Sequence, residues 1–354
     1  MQPITAQGRP QATRGRWIWV LSGTLTIAAI GAFGSWAIVR ASNSPGGPTP
    51  FSAVPTRTVI VTRPVTALNV QSYGAPIKVT TAPGPVRIAE SVTYDSADGG
   101  PPTVTDTDSR GLLTLAAPAC TNANCSVGFS VTVPSGVTVT ASASGGPVTV
   151  VGTGAADIDS GGGPVYAAGI GGPLTVTADG GGVTVNNAAG ADLDSGGGPV
   201  TATGITGKLT VHAEGGGVTV SRVPTAAIDS GGGPVYAAAI SGPLTVNAEG
   251  GGVTATGAGA TQINSGGGPV SASTIQGPLS VAAEGGGVEA SGVTGALNVD
   301  TGGGDASLSV PGGPYAVTAD TGGSQESVLI ATSPGAASSI SVTTEGGNLQ
   351  IGPA

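Results

Sequence analysis

Two glycine motifs interleave through the C-terminal half of the chain, and they constrain its fold more than any other feature. DSGGGPV stands at 159–165, 194–200 and 229–235, and returns as NSGGGPV at 264–270. Between these copies lie DGGGVT from Asp179, EGGGVT from Glu214 and Glu249, and EGGGVE from Glu284. Each motif recurs after 35 residues. The clusters that begin at Gly161, Gly180, Gly196, Gly215, Gly231, Gly250, Gly266 and Gly285 are separated alternately by 19 and 16 residues. The underlying unit is therefore half of the double repeat, about 17.5 residues, with two slightly different corners.

Short alternating runs fill the space between clusters: LTVTA at 174–178, VTV at 183–185, LTV at 209–211 and VTV at 218–220. Period-two alternation of Val and Thr predicts half-buried strands of about five residues. A second punctuation mark, Ile170-Gly171-Gly172-Pro173-Leu174, recurs from Ile205, Ile240 and Ile275. No stretch after residue 40 has helical spacing, so this part is expected to be all-β. Short strands in coils of constant length describe a stacked β-solenoid with two strands and two corners per coil. Coils would stack at about 4.8 Å. The alternation aims Val165, Leu174, Val176, Val183 and Val185 inward, and Thr175, Thr177 and Thr184 outward. A sandwich of the same strands is the alternative.

The glycines are read as structural turns, supplying positive φ and letting backbones approach, with Pro164, Pro199, Pro234 and Pro269 opening the next strand. The residue before each cluster alternates: Ser160, Asp179, Ser195, Glu214, Ser230, Glu249, Ser265, Glu284. On a coil of half the double repeat every acid would fall between two serines, whereas a 35-residue coil would stack like charges directly. A phosphate-cradling loop is a poor match. Such a loop occurs once, opens a helix and carries GK[ST] or G-x-G-x-x-G.

Composition agrees with a thin core. Of 354 residues 65 are Gly and 27 Pro, while Phe, Trp and Tyr number three, three and five. A hydrophobic fraction of 39% argues against disorder. From Gly145 onward the only basic residues are Lys208 and Arg222, against fifteen acids. That segment should repel nucleic acid and anionic headgroups.

Trp17–Val39 is uncharged, long enough to span a bilayer, and has Trp17, Trp19 and Trp36 near its ends. Arg9, Arg14 and Arg16 precede it, which places residues 1–16 in the cytoplasm and 41–354 outside. A cleaved signal peptide is the alternative. Residues 40–57 read as a Pro/Gly/Ser linker, 58–144 as an irregular β cap and 145–354 as the glycine-rich solenoid. The longer spacings after Gly302 mark a C-terminal cap. Cys120 and Cys125 enclose TNAN, which reads as a hairpin-tip disulfide in an exported domain.

Chemistry is sparse. His212 is alone in the chain, and no nucleophile has a recognisable base. Asp157/Asp159 and Asp192/Asp194 form D-x-D pairs that could serve a glycosidase-like or calcium site, but a solvated corner is the better reading. Tyr166 and Tyr236 hold equivalent repeat positions and read as fillers of gaps on a Gly/Ala-rich face. No catalytic, cofactor-binding or metal-binding residue is assigned.

Phe129–Ile170, FSVTVPSGVTVTASASGGPVTVVGTGAADIDSGGGPVYAAGI, resembles a bacterial putative-adhesin β-strand-repeat family of unknown function, related to the toast-rack domains of envelope-stress systems. The match lies in a V-P-x-G-V-x-V strand followed by G-x-V-x-V-x-G repeats, and it extends over roughly residues 58–354. The resemblance implies a right-handed, all-β stacked fold, one N-terminal membrane helix and an extracytoplasmic place. The expected function is a non-enzymatic, membrane-anchored envelope interaction or scaffold protein. A surface adhesin or glycan-binding protein is the alternative, and a polysaccharide-cleaving enzyme the second. Expected partners are the membrane and an envelope protein or glycan, with no nucleic acid and no cofactor.

Overall fold

The computed structural model describes residues 51–95, 104–117 and 125–354. Trp17–Val39 and Cys120 lie outside them. Among the described residues there is no helix long and apolar enough to cross a membrane, and every regular element is a strand.

Two parallel ladders run the length of the domain. In the first, Thr138–Ala143 pairs with Ala156–Ser160, and that strand with the second half of Val165–Ala178. In the second, Val165, Val183, Val200 and Val218 lie side by side on successive strands. Partners in both ladders are 17 or 18 residues apart. Each coil contributes one strand to each ladder, as in a β-solenoid, and the 35-residue unit is two coils. Val165, Leu174, Val176, Val183 and Val185 are all buried between the ladders.

The double repeat has its origin in core packing. The glycine corner always inserts four residues, whether between Ser160 and Val165 or between Ala178 and Val183. The opposite corner alternates in length: Ile170 leads to Leu174 in four steps, Ala188 to Ala191 in three. Long corners bring Ile and Leu into the core, followed by Val176, Val211 or Val246. Short corners bring smaller residues, such as Ala188 and Ala191, followed by Leu193, Ile228 or Ile263. Large and small layers thus interdigitate, which keeps the packing dense without bulky aromatics.

Of the two reasons expected for the corner glycines, close approach of backbones holds and positive φ does not. None of the glycines in these triplets has a positive φ. A Cβ on Gly163, Gly181, Gly198, Gly216 or Gly233 would instead overlap the carbonyl group of the glycine one coil below. At the first place of the corner, a Cβ on Gly196 would sit 2.5 Å from the Asp179 carbonyl oxygen, and Gly231 and Gly266 lie as close over Glu214 and Glu249. Gly161 is slightly freer, at 3.0 Å from the Ser144 oxygen. Gly180, Gly215, Gly250 and Gly285 would meet only ordinary contacts at 3.4 to 3.7 Å. Positive φ occurs at the other corner, once per coil, at Gly152, Gly169, Asn187, Gly204, Arg222, Ala239, Gly257, Thr274 and Gly292. This left-handed residue adds a step that turns the next side chain, Ile170 or Ile205 for example, back into the core.

The acids also sit one place from where the serine alternation put them. Ser160 pairs with Ala178, and Ala178 with Ser195. Asp179 therefore falls in the row of Gly161 and Gly196. Each buried serine closes its own corner: Ser160, Ser195, Ser230 and Ser265 Oγ donate to the carbonyl three residues on, at 2.7 to 3.0 Å.

Both ends depart from sequential stacking. At the N-terminal end β1 (Phe51–Val61) begins within the residues read as linker. β2 (Ala67–Ser72) and β3 (Gly74–Thr81) form the first coil, followed by β4 (Val86–Asp95), β5 (Thr105–Ser109), β6 (Leu112–Ala116) and β7 (Cys125–Val133). The next coil is β8 (Thr138–Ala143) and β9 (Val148–Val151). β2 inserts between β6 and β8, and β3 between β7 and β9. Antiparallel β5, β4 and β1 then cover the exposed edges. At the other end Ser339–Thr344 and Leu349–Pro353 insert under Ala316–Asp320 and Glu326–Val328. The last strands in sequence are thus interior ones, and an earlier segment forms the terminal coil.

One corner separates steric from conformational roles of glycine. Gly163→Ala should lower stability by about 1–3 kcal/mol, because a coil must lift off its neighbour. Gly162→Ala has nothing within 4 Å of the added Cβ. It should be neutral or stabilising by up to about 1 kcal/mol. Thermal and urea unfolding of the two variants checks this ordering.

Candidate functional surfaces

Outward side chains fall into rows parallel to the stacking direction, one residue per coil. On the first ladder one row reads Asp159, Thr177, Asp194, His212, Asp229, Asn247 and Asn264. The D-x-D pairs are exposed on this face, and Asp157/Asp159 are separated from Asp192/Asp194 by Thr175 and Thr177. His212, isolated in sequence, lies between Asp194 and Asp229, with Nδ1 4.0 Å from Asp229 Oδ2. Sequence reasoning missed this neighbourhood. An offset of 18 residues back and 17 forward would have found it. Asn264 Nδ2 donates to Asn247 Oδ1 at 2.8 Å and extends the polar row. Among the described residues no three His, Cys, Asp or Glu side chains are placed to hold a metal ion.

On the second ladder the corresponding row runs Tyr166, Thr184, Thr201, Thr219, Tyr236, Thr254, Ser271 and Glu289. Tyr166 is half-buried, while Tyr236 is 51% exposed. Tyr236 borders a shallow groove of about 450 Å³. The two tyrosines are thus members of one continuous row, four coils apart, which their spacing of seventy residues in sequence conceals.

Among the described residues, the one titratable group that clearly departs from its ordinary behaviour is in the N-terminal cap. Glu90, on β4, is 5% exposed, and its Oε1 has no hydrogen-bond partner. Burial pushes its pKa up from the usual value near 4.5; Arg57, 3.8 Å away and mostly exposed, opposes this, and Asp106 adds to it. Arg57 also reaches Asp106 at 3.5 Å, and Arg63 reaches Asp108 at 3.3 Å. The first of these pairs runs from β1, on one ladder's edge, to β5, on the other's, and the second reaches β5 from just past the end of β1, so they tie the two ladders together across the end of the domain. Cys125, at the start of β7, is not a free thiol.

No family model matches the chain, and no curated protein matches it. Three solved structures are similar. A putative adhesin from Parabacteroides distasonis has 14% identity and a TM-score of 0.33, covering 68% of this chain and 97% of that one. A putative cell adhesion protein from Clostridium sporogenes has 11% identity and a TM-score of 0.18, covering 85% and 100%. A putative adhesin from Parabacteroides merdae has 12% identity and a TM-score of 0.23, covering 86% and 96%.

Glu90 yields a pH prediction with a definite sign. Its folded pKa lies above the unfolded one, so the folded state binds more protons in the window above pH 4.5. Stability from this group therefore falls as pH rises through that window. Glu90→Gln removes the buried charge, so its stability relative to the parent should improve on going from pH 4 to pH 7. A parallel pH series of urea midpoints for both proteins measures the difference, and a gain confined to acid pH would contradict the assignment.

Proposed function

We propose that this chain is a membrane-anchored, extracytoplasmic, non-enzymatic right-handed solenoid that acts by displaying ordered rows of side chains to a partner. The observation that carries the reading is the in-register rows themselves. A rigid stack of coils repeats one outward position many times at a spacing of about 4.8 Å, which suits an extended ligand or a broad protein surface. The polar, acidic faces favour an uncharged or cationic partner over nucleic acid. The anchor is the apolar segment Trp17–Val39 with its preceding arginines.

An envelope protein is the first partner class, and a link to envelope stress rests on the family resemblance. The groove beside Tyr236 favours a second reading, an adhesin-like or glycan-binding protein. Hydrolysis through Asp157 and Asp159 receives less support, because both carboxylates stand exposed on an open sheet face.

Localisation is the direct test. Full-length protein carrying a C-terminal tag should stay in the membrane pellet after carbonate washing, and protease added to intact cells should remove the tag. A tag protected in intact cells and cut only after lysis would overturn the reading.

A further inference from the structure

We infer that the groove at Tyr236 is a binding site for a neutral, β-linked oligosaccharide lying along the stacking direction of the coils. This deepens the proposed role as an extracytoplasmic display surface and rests on it. Tyr236, Thr254, Ser271 and Glu289 occupy one row on four consecutive coils. Tyr236 is exposed at one end of that row, as is Glu289 at the other.

The margin of the groove comes from the fourth place of successive glycine corners. Pro234, Gly252, Pro269, Gly287 and Asp305 follow one another there. Proline rings therefore alternate with gaps, a relief that repeats with the coils beside the row of hydroxyl and carboxylate groups.

These groups match the two-sided chemistry of a pyranose. The sugar's C–H face can stack on the Tyr236 ring, which retains exposed aromatic surface. Its hydroxyl rim can exchange hydrogen bonds with Thr254 and Ser271 and donate to the carboxylates of Glu289 and Asp305. Successive coils advance by about 4.8 Å, comparable to one β-linked hexose, so successive sugars would meet equivalent positions. No Lys or Arg lines the groove, and two carboxylates do, which selects against uronic, sulfated or phosphorylated glycans.

The test is calorimetric titration of detergent-solubilised full-length protein with cellohexaose, laminarihexaose and chitohexaose, with hexaproline as the competing type of extended ligand. At least one neutral hexasaccharide should bind. Tyr236→Ala should weaken that binding at least ~10-fold, as expected for removal of an aromatic anchor. Tyr236→Phe should retain most of it, Glu289→Gln should reduce it, and Asp157→Asn should leave it unchanged. Unaltered thermal unfolding of Tyr236→Ala would confirm that the fold persists. The inference is overturned if none of the three sugars binds, if only hexaproline binds, or if Tyr236→Ala binds as the parent does. Such a failure with the tag still removable from intact cells would refute the glycan site and leave the display reading standing.

Discussion

Everything in this domain depends on backbone packing directly against backbone at one corner of every coil. The third place of that corner is glycine from Gly146 through Gly163, Gly181, Gly198 and onward to Gly347, and each would drive a Cβ into the coil beneath. Such close approach fixes the coils in register without large side chains. It also explains why aliphatic side chains no larger than Leu and Ile fill the core between the two ladders of the repeats. The first place of the corner follows a weaker form of the same rule. Asp179 can carry a side chain above Gly161, but the next coil must then offer Gly196, and Glu214 above it must be followed by Gly231. The alternation of acid and glycine is therefore steric, and the separation of like charges accompanies it.

Much of this was legible in the sequence, and the reasons are specific. The alternation in LTVTA and VTV identified the strands, because a period of two has no helical reading. The glycine spacing yielded the coil length. What could not be read was register at single-residue precision. The motifs DSGGGPV and DGGGVT align by their glycines to the eye, whereas the strands align Ser160 with Ala178. That one-place shift moved the acids out of the serine row. Positive φ falls at the opposite corner from the expected one, where Arg222, Ala239 and Thr274 carry it without looking like turn residues. The insertion of coils at both ends pairs strands across reversed chain order, for which the sequence has no local signal.

The candidate surfaces were hidden for a related reason. His212 and Tyr236 look isolated when read along the chain, and their neighbours appear only when residues 17 or 18 positions apart are placed together. A solenoid converts a weak preference at one repeat position into a row, so its chemistry belongs to rows more than to motifs. This arrangement also separates structure from function. Substitutions on the outward rows leave the glycine corner and the interdigitated core untouched, so the faces can vary while the scaffold persists.

Deleting coils tests the central claim most directly. Removing Gly196–Ser230 excises two coils and rejoins Ser195 to Gly231, which preserves the acid–glycine alternation. Removing Gly196–Ala213 excises one coil and places Glu214 directly over Asp179, where only glycine fits. Thermal unfolding of the two proteins should show a cooperative transition near the parent's for the two-coil deletion and a clearly lower or broadened one for the single coil. Equal tolerance of both deletions, or a greater loss from removing two coils than one, would contradict the account.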